Sequence, residues 1–243
     1  QRFNKEICIS QLDFSYGEHQ TLKNISISIQ KGKMTSIVGP SGSGKSTLID
    51  ILMGYYKIKV GSISIDETPF EKINLNSWRD LIGYIPQQPF LFNASIRDNI
   101  LWANPKIKNE DIISACKLAH VHDFVMDMKD GYETIVGERG MKLSGGQAQR
   151  ICLARAIASQ PEILILDEAT SSLDSNSESL IQESIESLKG DITIISVAHR
   201  LSTIVNSNHI YYLEEGCLIE DGTFKDLMIK KGKFYTAAKL QGM

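Results

Sequence analysis

The first part of the chain alternates apolar and polar positions. In LKNISISIQKG, for example, Ile25, Ile27 and Ile29 are separated by single polar residues. Successive side chains of a strand point to opposite faces, so the alternation predicts strands with one buried face and one solvated face. Such strands are typical of antiparallel sheets. We therefore predict an antiparallel β part at approximately residues 1–33.

Four short apolar runs follow, and each is too short for a typical helix. Continuous apolar runs of this length favour strands that are buried on both faces, as in a parallel sheet covered by helices. Each run leads into residues that can bind ligands or take part in catalysis. Ligands of open α/β sheets bind beyond the carboxyl ends of the strands. We expect these ends to meet at one edge. The runs are MTSIVG (34–39), LIGYIPQ (81–87), EILILDE (162–168) and ITIISVAH (192–199).

The segment between the second and third runs has a helical pattern. Apolar residues recur at helical spacing in 108–128, and residues 144–159 predict another helix. Together the patterns predict an α/β fold, namely a P-loop NTPase (RecA-like) core with a mainly parallel sheet, an antiparallel β subdomain and an inserted α-helical subdomain. Within one domain spanning 1–243, we place the core at 34–89 and 160–243, and the helical subdomain at 90–159.

Composition and charge narrow the class of protein. The 243 residues are 42% hydrophobic and 23% charged, with a formal net charge of −3, as in an ordinary globular domain. No global basic field indicates a nucleic-acid partner, and none is expected. The four cysteines form no CxxC pair, which favours free thiols. No apolar run is long enough to span a bilayer, and the chain begins at Gln1 without methionine, so we interpret it as part of a longer polypeptide.

The stretch GPSGSGKS (39–46) fits the phosphate-loop pattern G-x-x-x-x-G-K-[ST]. It follows a predicted strand and precedes a predicted helix, which is the context that this pattern needs. The backbone N–H groups of such a loop surround phosphate oxygens, and the helix turns its positive end toward them. Within the loop, we expect Lys45 to reach the β- and γ-phosphates and Ser46 to bind Mg²⁺. The residues predicted to bind the nucleotide here are Gly39, Pro40, Ser41, Gly42, Ser43, Gly44, Lys45, Ser46 and Thr47.

Two adjacent carboxylates end the third apolar run. Asp167 is placed to hold the magnesium shell, and Glu168 to polarise an attacking water. Taken alone, the pair could instead cap a helix that begins at Ala169. Together with the phosphate loop, it predicts a site for a nucleoside triphosphate and Mg²⁺.

The sequence LSGGQ (143–147) resembles the signature of the ATP-binding-cassette ATPases, and six further motifs match that family in its order along the chain. The S-x-x-Q spacing within the signature is also that of a capping box at a helix start, where glycine N–H groups form an anion site. The resemblance identifies the ligand as ATP. It implies that Tyr16 stacks on adenine and that Gln87 senses Mg²⁺ and the γ-phosphate. The residues implied to be catalytic are Glu168, His199 and Lys45. Those implied to contact a partner are Ser172, Leu173 and Asp174, and those implied to bind ATP held by a second copy are Ser144, Gly145, Gly146 and Gln147.

Other segments are similar to exporters in which the ATPase follows a membrane domain. These are IVGERG (135–140), YIPQQPFLFNASIRDNI and VAHRLSTI. The resemblance implies an ATPase that works as a head-to-tail homodimer around two ATP-Mg and drives export. It further implies a transmembrane domain contacted near Gln87 and Glu138, a place on the cytoplasmic face of the cell membrane, and an isolated domain that is soluble. Ala148 and Ser172 depart from the family's usual residues.

Two other classes of function stay open from the residues alone. A nonmembrane ATPase of the same family, acting in DNA repair or on ribosomes, would have a long coiled-coil insertion or a second cassette, and this chain has neither. A regulatory subunit without turnover would lack the glutamate or the histidine, and both are present. The cargo is not encoded in this segment.

Overall fold

The computed structural model of the chain describes residues 3–169, 173–198 and 201–241. These residues fall into two compact units, Gln1–Leu81 with Ile192–Met243, and Ile82–Asp191. The strands are β1 (Glu6–Tyr16), β2 (His19–Gln30), β3 (Met34–Val38), β4 (Val60–Ile65), β5 (Thr68–Pro69), β6 (Ile82–Ile85), β7 (Ile163–Asp167), β8 (Thr193–Ala198), β9 (His209–Glu214) and β10 (Cys217–Gly222). The α-helices are α1 (Lys45–Leu52), α2 (Leu75–Arg79), α3 (Ile96–Leu101), α4 (Asn109–Leu118), α5 (His122–Met126), α6 (Gly145–Ala158), α7 (Ser175–Leu188), α8 (Phe224–Lys230) and α9 (Lys233–Leu240).

The first unit contains the antiparallel sheet, with the strand order β2-β1-β4-β5. Ile25, Ile27 and Ile29 are buried on one face of β2, as their alternation predicts. The pairs Ile7–Ile29 and Ile9–Ile27 set the register of β1 on β2. The sheet also takes β4 and β5 from residues 60–69, a stretch that the sequence patterns placed with the P-loop core. The sequence patterns predicted no strand at β4, and the pairing of Ile7 with Ile65 assigns it to this sheet.

The first unit also holds the parallel strands around the phosphate loop. β3 pairs in parallel with β8 on one side and with β9 on the other, and β10 adds an antiparallel edge. All five residues of β3 and all six of β8 are buried, which explains their continuous apolar runs. Helices α8 and α9 cover this group through a cluster of buried side chains. Its members are Val38, Ala198, Ile204, Ile210, Tyr212, Leu227, Phe234 and Ala238.

The helix after the phosphate loop is fastened at its C-terminal end. Trp78 donates its indole N–H to the carbonyl of Leu52 at 2.7 Å. The guanidinium of Arg79 donates to the carbonyls of Met53 and Gly54 at 2.9 and 3.1 Å. Since the last carbonyls of a helix have no partner within it, these bonds from α2 stabilise the end of α1 and hence its orientation.

The second unit contains β6, β7 and helices α3 to α7. β6 and β7 are parallel, with Ile82 beside Ile163 and Ile85 beside Leu166. The helical pattern in 108–128 forms two helices, α4 and α5, because the backbone breaks at His120, which has φ +52°. The predicted helix at 144–159 is present as α6. The mixed α/β fold, with mainly parallel strands, an antiparallel sheet and a helical part, is therefore confirmed.

Among the described residues, no helix combines the length and the apolarity that crossing a bilayer requires.

Candidate functional site

The phosphate loop joins β3 to α1 in the first unit. Gly39 has φ +151°, and a Cβ at this position would lie 1.9 Å from the carbonyl oxygen of Leu213 on β9. Only glycine allows the loop to leave β3 so close to the neighbouring strand. Gly44 has φ +98° and caps α1. The N-terminus of α1 therefore follows the loop directly, and the free N–H groups at a helix N-terminus favour anions.

Lys45 lies folded into this loop. Its side chain is buried, and its ammonium donates to the carbonyls of Gly39 at 3.0 Å and Pro40 at 2.8 Å, and to the hydroxyl of Ser43 at 3.4 Å. Loop carbonyls thus hold one positive charge at the N-terminus of α1. Ser46, next in the chain, is exposed. A lysine and a serine hydroxyl at this place can bind phosphate and a hard cation.

Three aromatic rings stand beside the loop in the same unit. Tyr16 meets Phe14 and Tyr56 edge to face, with ring centroids 5.0 and 5.3 Å away, and 42% of its surface is exposed. The phenol of Tyr16 also donates to the hydroxyl of Thr47 on α1 at 3.4 Å. A hydrogen bond to Tyr16 raises the pKa of Tyr56. The sequence indicated Tyr16 alone; the two rings that support it lie on β1 and beyond α1.

The second unit carries the carboxylates. Asp167 ends β7, and its Oδ2 accepts a hydrogen bond from the phenol of Tyr84 on β6 at 3.0 Å. Glu168 follows in a left-handed conformation, φ +48°, which is uncommon outside glycine and concentrates at functional sites. The amide of Gln87 donates to Glu168 Oε2 at 2.6 Å. Two neighbouring parallel strands thus bring together four polar side chains near their carboxyl ends, in the pairs Tyr84–Asp167 and Gln87–Glu168.

Among the residues that the structure describes, no helix is capped by Asp167 or Glu168. Helix α7 begins at Ser175, and its N-cap is Asp174, whose carboxylate accepts from the N–H of Ser177 at 3.0 Å. Tyr84 escaped the sequence reasoning, because a tyrosine in a strand is more often a packing residue. The apolar run at 81–87 predicted a strand that is buried on both faces, but Tyr84 is exposed on β6, so that prediction was wrong for this strand.

The signature starts α6 with the predicted capping box. The hydroxyl of Ser144 accepts from the N–H of Gln147 at 3.2 Å, and the side chain of Gln147 accepts from the N–H of Ser144 at 2.9 Å. Gly145 is exposed and Gly146 is buried. Farther along α6, buried Gln149 donates to the carbonyl of Pro86 at 3.1 Å, which fastens the helix to the loop before Gln87.

The segment IVGERG forms a tight turn in the second unit. Val136 is buried, while Ile135 and Glu138 are exposed, and Arg139 has φ +50°. The segment pairs with residues 94–96 through the bonds Ile96 N–H to Thr134 O and Val136 N–H to Ala94 O.

Exposed aromatic side chains occur in the same unit, with Phe90 exposed by 49% and Trp102 by 65%. Phe92 lies between them, its ring centroid 5.0 Å from that of Phe90 and 4.0 Å from that of Trp102. Arg155 on α6 fixes the backbone at Phe90 by donating to the carbonyl of Phe90 at 2.8 Å.

Some candidate residues lie outside the residues that the structure describes. His199 and Ser172 fall outside the described residues, and Leu173 lies at the start of a described segment. In the second unit, His120 Nε2 lies 3.6 Å from the carboxylate of Glu183, and His122 Nδ1 lies 2.9 Å from the phenol of Tyr132.

Comparison with known proteins gives the family. A model of the family described as "ABC transporter" matches residues 22–171. Putative multidrug export ATP-binding/permease proteins of Staphylococcus aureus are similar to the chain. The one from strain NCTC 8325 / PS 47 is 43% identical over 239 residues, 98% of this chain and 41% of the relative. The one from bovine strain RF122/ET3-1 is 42% identical over the same shares.

A solved structure agrees with these relatives. The structure of a bacterial Atm1-family ABC exporter with ATP bound superposes with a TM-score of 0.94 at 36% identity, over 100% of this chain and 43% of that chain. The chain therefore belongs to the ABC transporter family. It spans about two fifths of the length of the curated relatives that it matches.

Proposed function

We propose that the chain is the motor domain of an exporter, in which ATP hydrolysis by a head-to-tail pair of domains drives the transport of a substrate across a membrane. The observation that carries the proposal is the 2.6 Å bond between Gln87 and Glu168 beside Asp167. It joins the glutamine that would sense the cation and γ-phosphate to the carboxylate that would activate water. The similarity to export ATP-binding/permease proteins and to an exporter with ATP bound supports the class of transport.

The residues present suit Mg²⁺. Ser46 in the first unit offers a hydroxyl, and Gln87 and Asp167 in the second unit offer an amide oxygen and a carboxylate. All three are hard oxygen donors, which this cation prefers. When bound, Mg²⁺ neutralises charge that develops on the phosphate oxygens. Tyr84 would hold Asp167 in position through its 3.0 Å bond.

Each remaining residue has one chemical task in this proposal. Lys45 stabilises the charge of the β- and γ-phosphates, with the backbone N–H groups of residues 39–47 around them. Glu168 accepts the proton of the attacking water, and His199 holds the γ-phosphate. Tyr16 stacks on the adenine.

The partners are a second copy and a membrane domain. The exposed N-terminus of α6, with Ser144, Gly145, Gly146 and Gln147, would bind the γ-phosphate of ATP held by the second copy. Exposed Gln87, Glu138 and the aromatic side chains of Phe90 and Trp102 would contact a transmembrane domain of the same polypeptide, on the cytoplasmic face of the membrane. The sequence encoded upstream of Gln1 tests this part, since six apolar spans are expected there.

The direct test is Glu168→Gln. We expect its phosphate release to fall at least about 100-fold, because a positioned general base contributes that much. ATP binding should persist, and ATP with Mg²⁺ should trap a dimer that light scattering detects. Glu110→Gln, an exposed glutamate in the first turn of α4, is the matched control. Turnover of the Glu168→Gln protein at the parent rate would refute the assigned role, and a parent without turnover would favour a regulatory nucleotide-binding subunit.

A further inference from the structure

The two glycines of the signature have different surroundings. Neither has a positive φ, so neither is required by its backbone conformation. Gly145 is exposed, and within the described part of the chain no atom lies within 4 Å of the place where its Cβ would stand. A Cβ on Gly146 would lie 2.0 Å from Oγ of Ser177 and 2.5 Å from its Cβ. The space that a side chain at Gly146 would need is therefore filled by Ser177 of the same chain.

Ser177 stands at the start of α7 and is buried, with 7% of its surface exposed. Its N–H donates to the carboxylate of Asp174, the N-cap of that helix, at 3.0 Å. The hydrogen bond from this N–H lowers the pKa of Asp174, and a hydrogen bond from the Ser177 hydroxyl lowers it further by a smaller amount. The Cβ position of Gly146 is also only 3.7 Å from Asp174 Oδ2. One serine thus contacts the backbone of the signature helix and orients the cap of α7.

Two helix N-termini meet at this contact. The positive ends of α6 and α7 repel each other, and the carboxylate of Asp174 beside both offsets that repulsion. Arg150, one turn into α6, is attracted to the same carboxylate. The close approach of Gly146 to Ser177 is therefore held by charge as well as by packing.

We infer that Ser177 is a positioning residue, which sets the depth at which the signature helix seats on α7. Gly146 lacks a side chain because of this internal contact, whereas the Cβ position of Gly145 is open. The inference rests on the proposed function, which assigns the signature to the surface that faces the second copy. It adds that the signature helix and the start of α7 move as one body, because the tight contact between Gly146 and Ser177 joins them.

A set of substitutions tests the contact by rescue. Gly146→Ala should lower the melting temperature, because overpacking a tight contact destabilises it. Ser177→Ala should fail to rescue Gly146→Ala, since its Cβ still lies 2.5 Å from the added methyl group. Ser177→Gly should restore the melting temperature to that of Ser177→Gly alone. Gly145→Ala is the matched control: it should leave the melting temperature unchanged, and Ser177→Gly should not rescue any loss of turnover that it causes.

Measurements of kcat and KM distinguish a positioning role of Ser177 from a role in stability alone. For Gly146→Ala we expect kcat to fall about tenfold or more, as a small displacement of a catalytic group does. KM for ATP should stay unchanged, because the phosphate loop lies in the other unit. The Gly146→Ala/Ser177→Gly protein should recover kcat to within about threefold of Ser177→Gly, as expected when coupled substitutions remove a shared clash.

Two results would overturn the inference: a normal melting temperature for Gly146→Ala, or a double variant as impaired as the single one. Failure of the proposed function is a separate outcome. It would show as a Glu168→Gln protein that forms no dimer with ATP, while the melting-temperature cycle would still report on the contact between Gly146 and Ser177.

Discussion

The side-chain amide of Gln87 donates a 2.6 Å hydrogen bond to the carboxylate of Glu168, two residues that are 81 positions apart in the chain. The parallel pairing of β6 with β7 creates this relationship, because it places the carboxyl ends of both strands side by side. The bond holds the carboxylate in one orientation while its backbone occupies the left-handed region. The bond therefore leads to a prediction about the rate of turnover.

Gln87→Glu places a second carboxylate against Glu168. Because like charges at hydrogen-bond distance repel each other, the Glu168 carboxylate should lose its orientation, and kcat should fall about tenfold or more. Gln87→Ala should lower kcat less, because it removes the hydrogen bond without adding a like charge. Equal kcat values for the two variants, measured as phosphate release, would show that Gln87 does not act through Glu168.

The base subsite should depend on the ring of Tyr16. Tyr16→Ala should weaken ATP binding about tenfold or more, since stacking of a base on an aromatic ring contributes about 1–3 kcal/mol. Binding of tripolyphosphate with Mg²⁺ should stay unchanged, because it needs only the phosphate loop. Tyr16→Phe keeps the ring and should bind ATP nearly normally. Equal losses of ATP and tripolyphosphate affinity would mean that the substitution damages the loop rather than the base subsite.

Tyr56 should contribute to the same subsite through the orientation of Tyr16. Its ring meets that of Tyr16 edge to face at 5.3 Å, a contact worth about 0.5–1.5 kcal/mol. Tyr56→Ala should therefore weaken ATP binding less than Tyr16→Ala does, and in the double variant the two effects should not add. Isothermal titration calorimetry of the three proteins measures this, and strict additivity would contradict the coupling.

Gly39→Ala should damage both stability and nucleotide binding. The added Cβ would stand 1.9 Å from the carbonyl oxygen of Leu213, so either the loop or β9 must shift. We expect a loss of roughly 3 kcal/mol of unfolding free energy, the range of severe core substitutions. Gly17→Ala is the control, since Gly17 has φ +61° but no described atom within 4 Å of its Cβ position. It should cost only about 1 kcal/mol of conformational strain; similar losses for both variants would exclude the steric explanation.

Asp66 should make stability depend on pH. Burial raises its pKa, but hydrogen bonds from the N–H groups of Asn4, Glu6 and Lys5, at 2.6, 3.0 and 2.7 Å, outweigh burial and lower it. A carboxyl with a lowered folded pKa stabilises the protein above its unfolded value of about 4, and this contribution is lost as the pH falls through the folded value. At pH 7, Asp66→Asn should therefore cost about 1–2 kcal/mol.

Urea unfolding at several pH values measures this contribution. The difference between parent and Asp66→Asn should shrink as the pH falls below about 4. Asp127→Asn, at an exposed aspartate of the helical part, should show no such trend. A constant difference for Asp66→Asn from pH 7 to pH 3 would contradict the linkage.

The sequence by itself determined the elements and the chemistry that each one carries. Alternation identified β2, continuous apolar runs identified β3, β6, β7 and β8, and the S-x-x-Q spacing identified the cap of α6, because each of these signals comes from neighbours along the chain. The phosphate-loop pattern was equally local. Its glycines and lysine occupy adjacent positions, so no tertiary information was needed to place them.

Only the tertiary structure decided which elements meet. β4 joins the antiparallel sheet, Tyr84 reaches Asp167, and Tyr56 supports Tyr16, although nothing in the local pattern of these residues indicates their partners. The signature shows the same division within two residues. The sequence presented Gly145 and Gly146 as equivalent, whereas the packing of α6 on α7 leaves the first one open and closes the second against Ser177. The physical reason is that contacts between helices depend on distances that the order of residues does not contain.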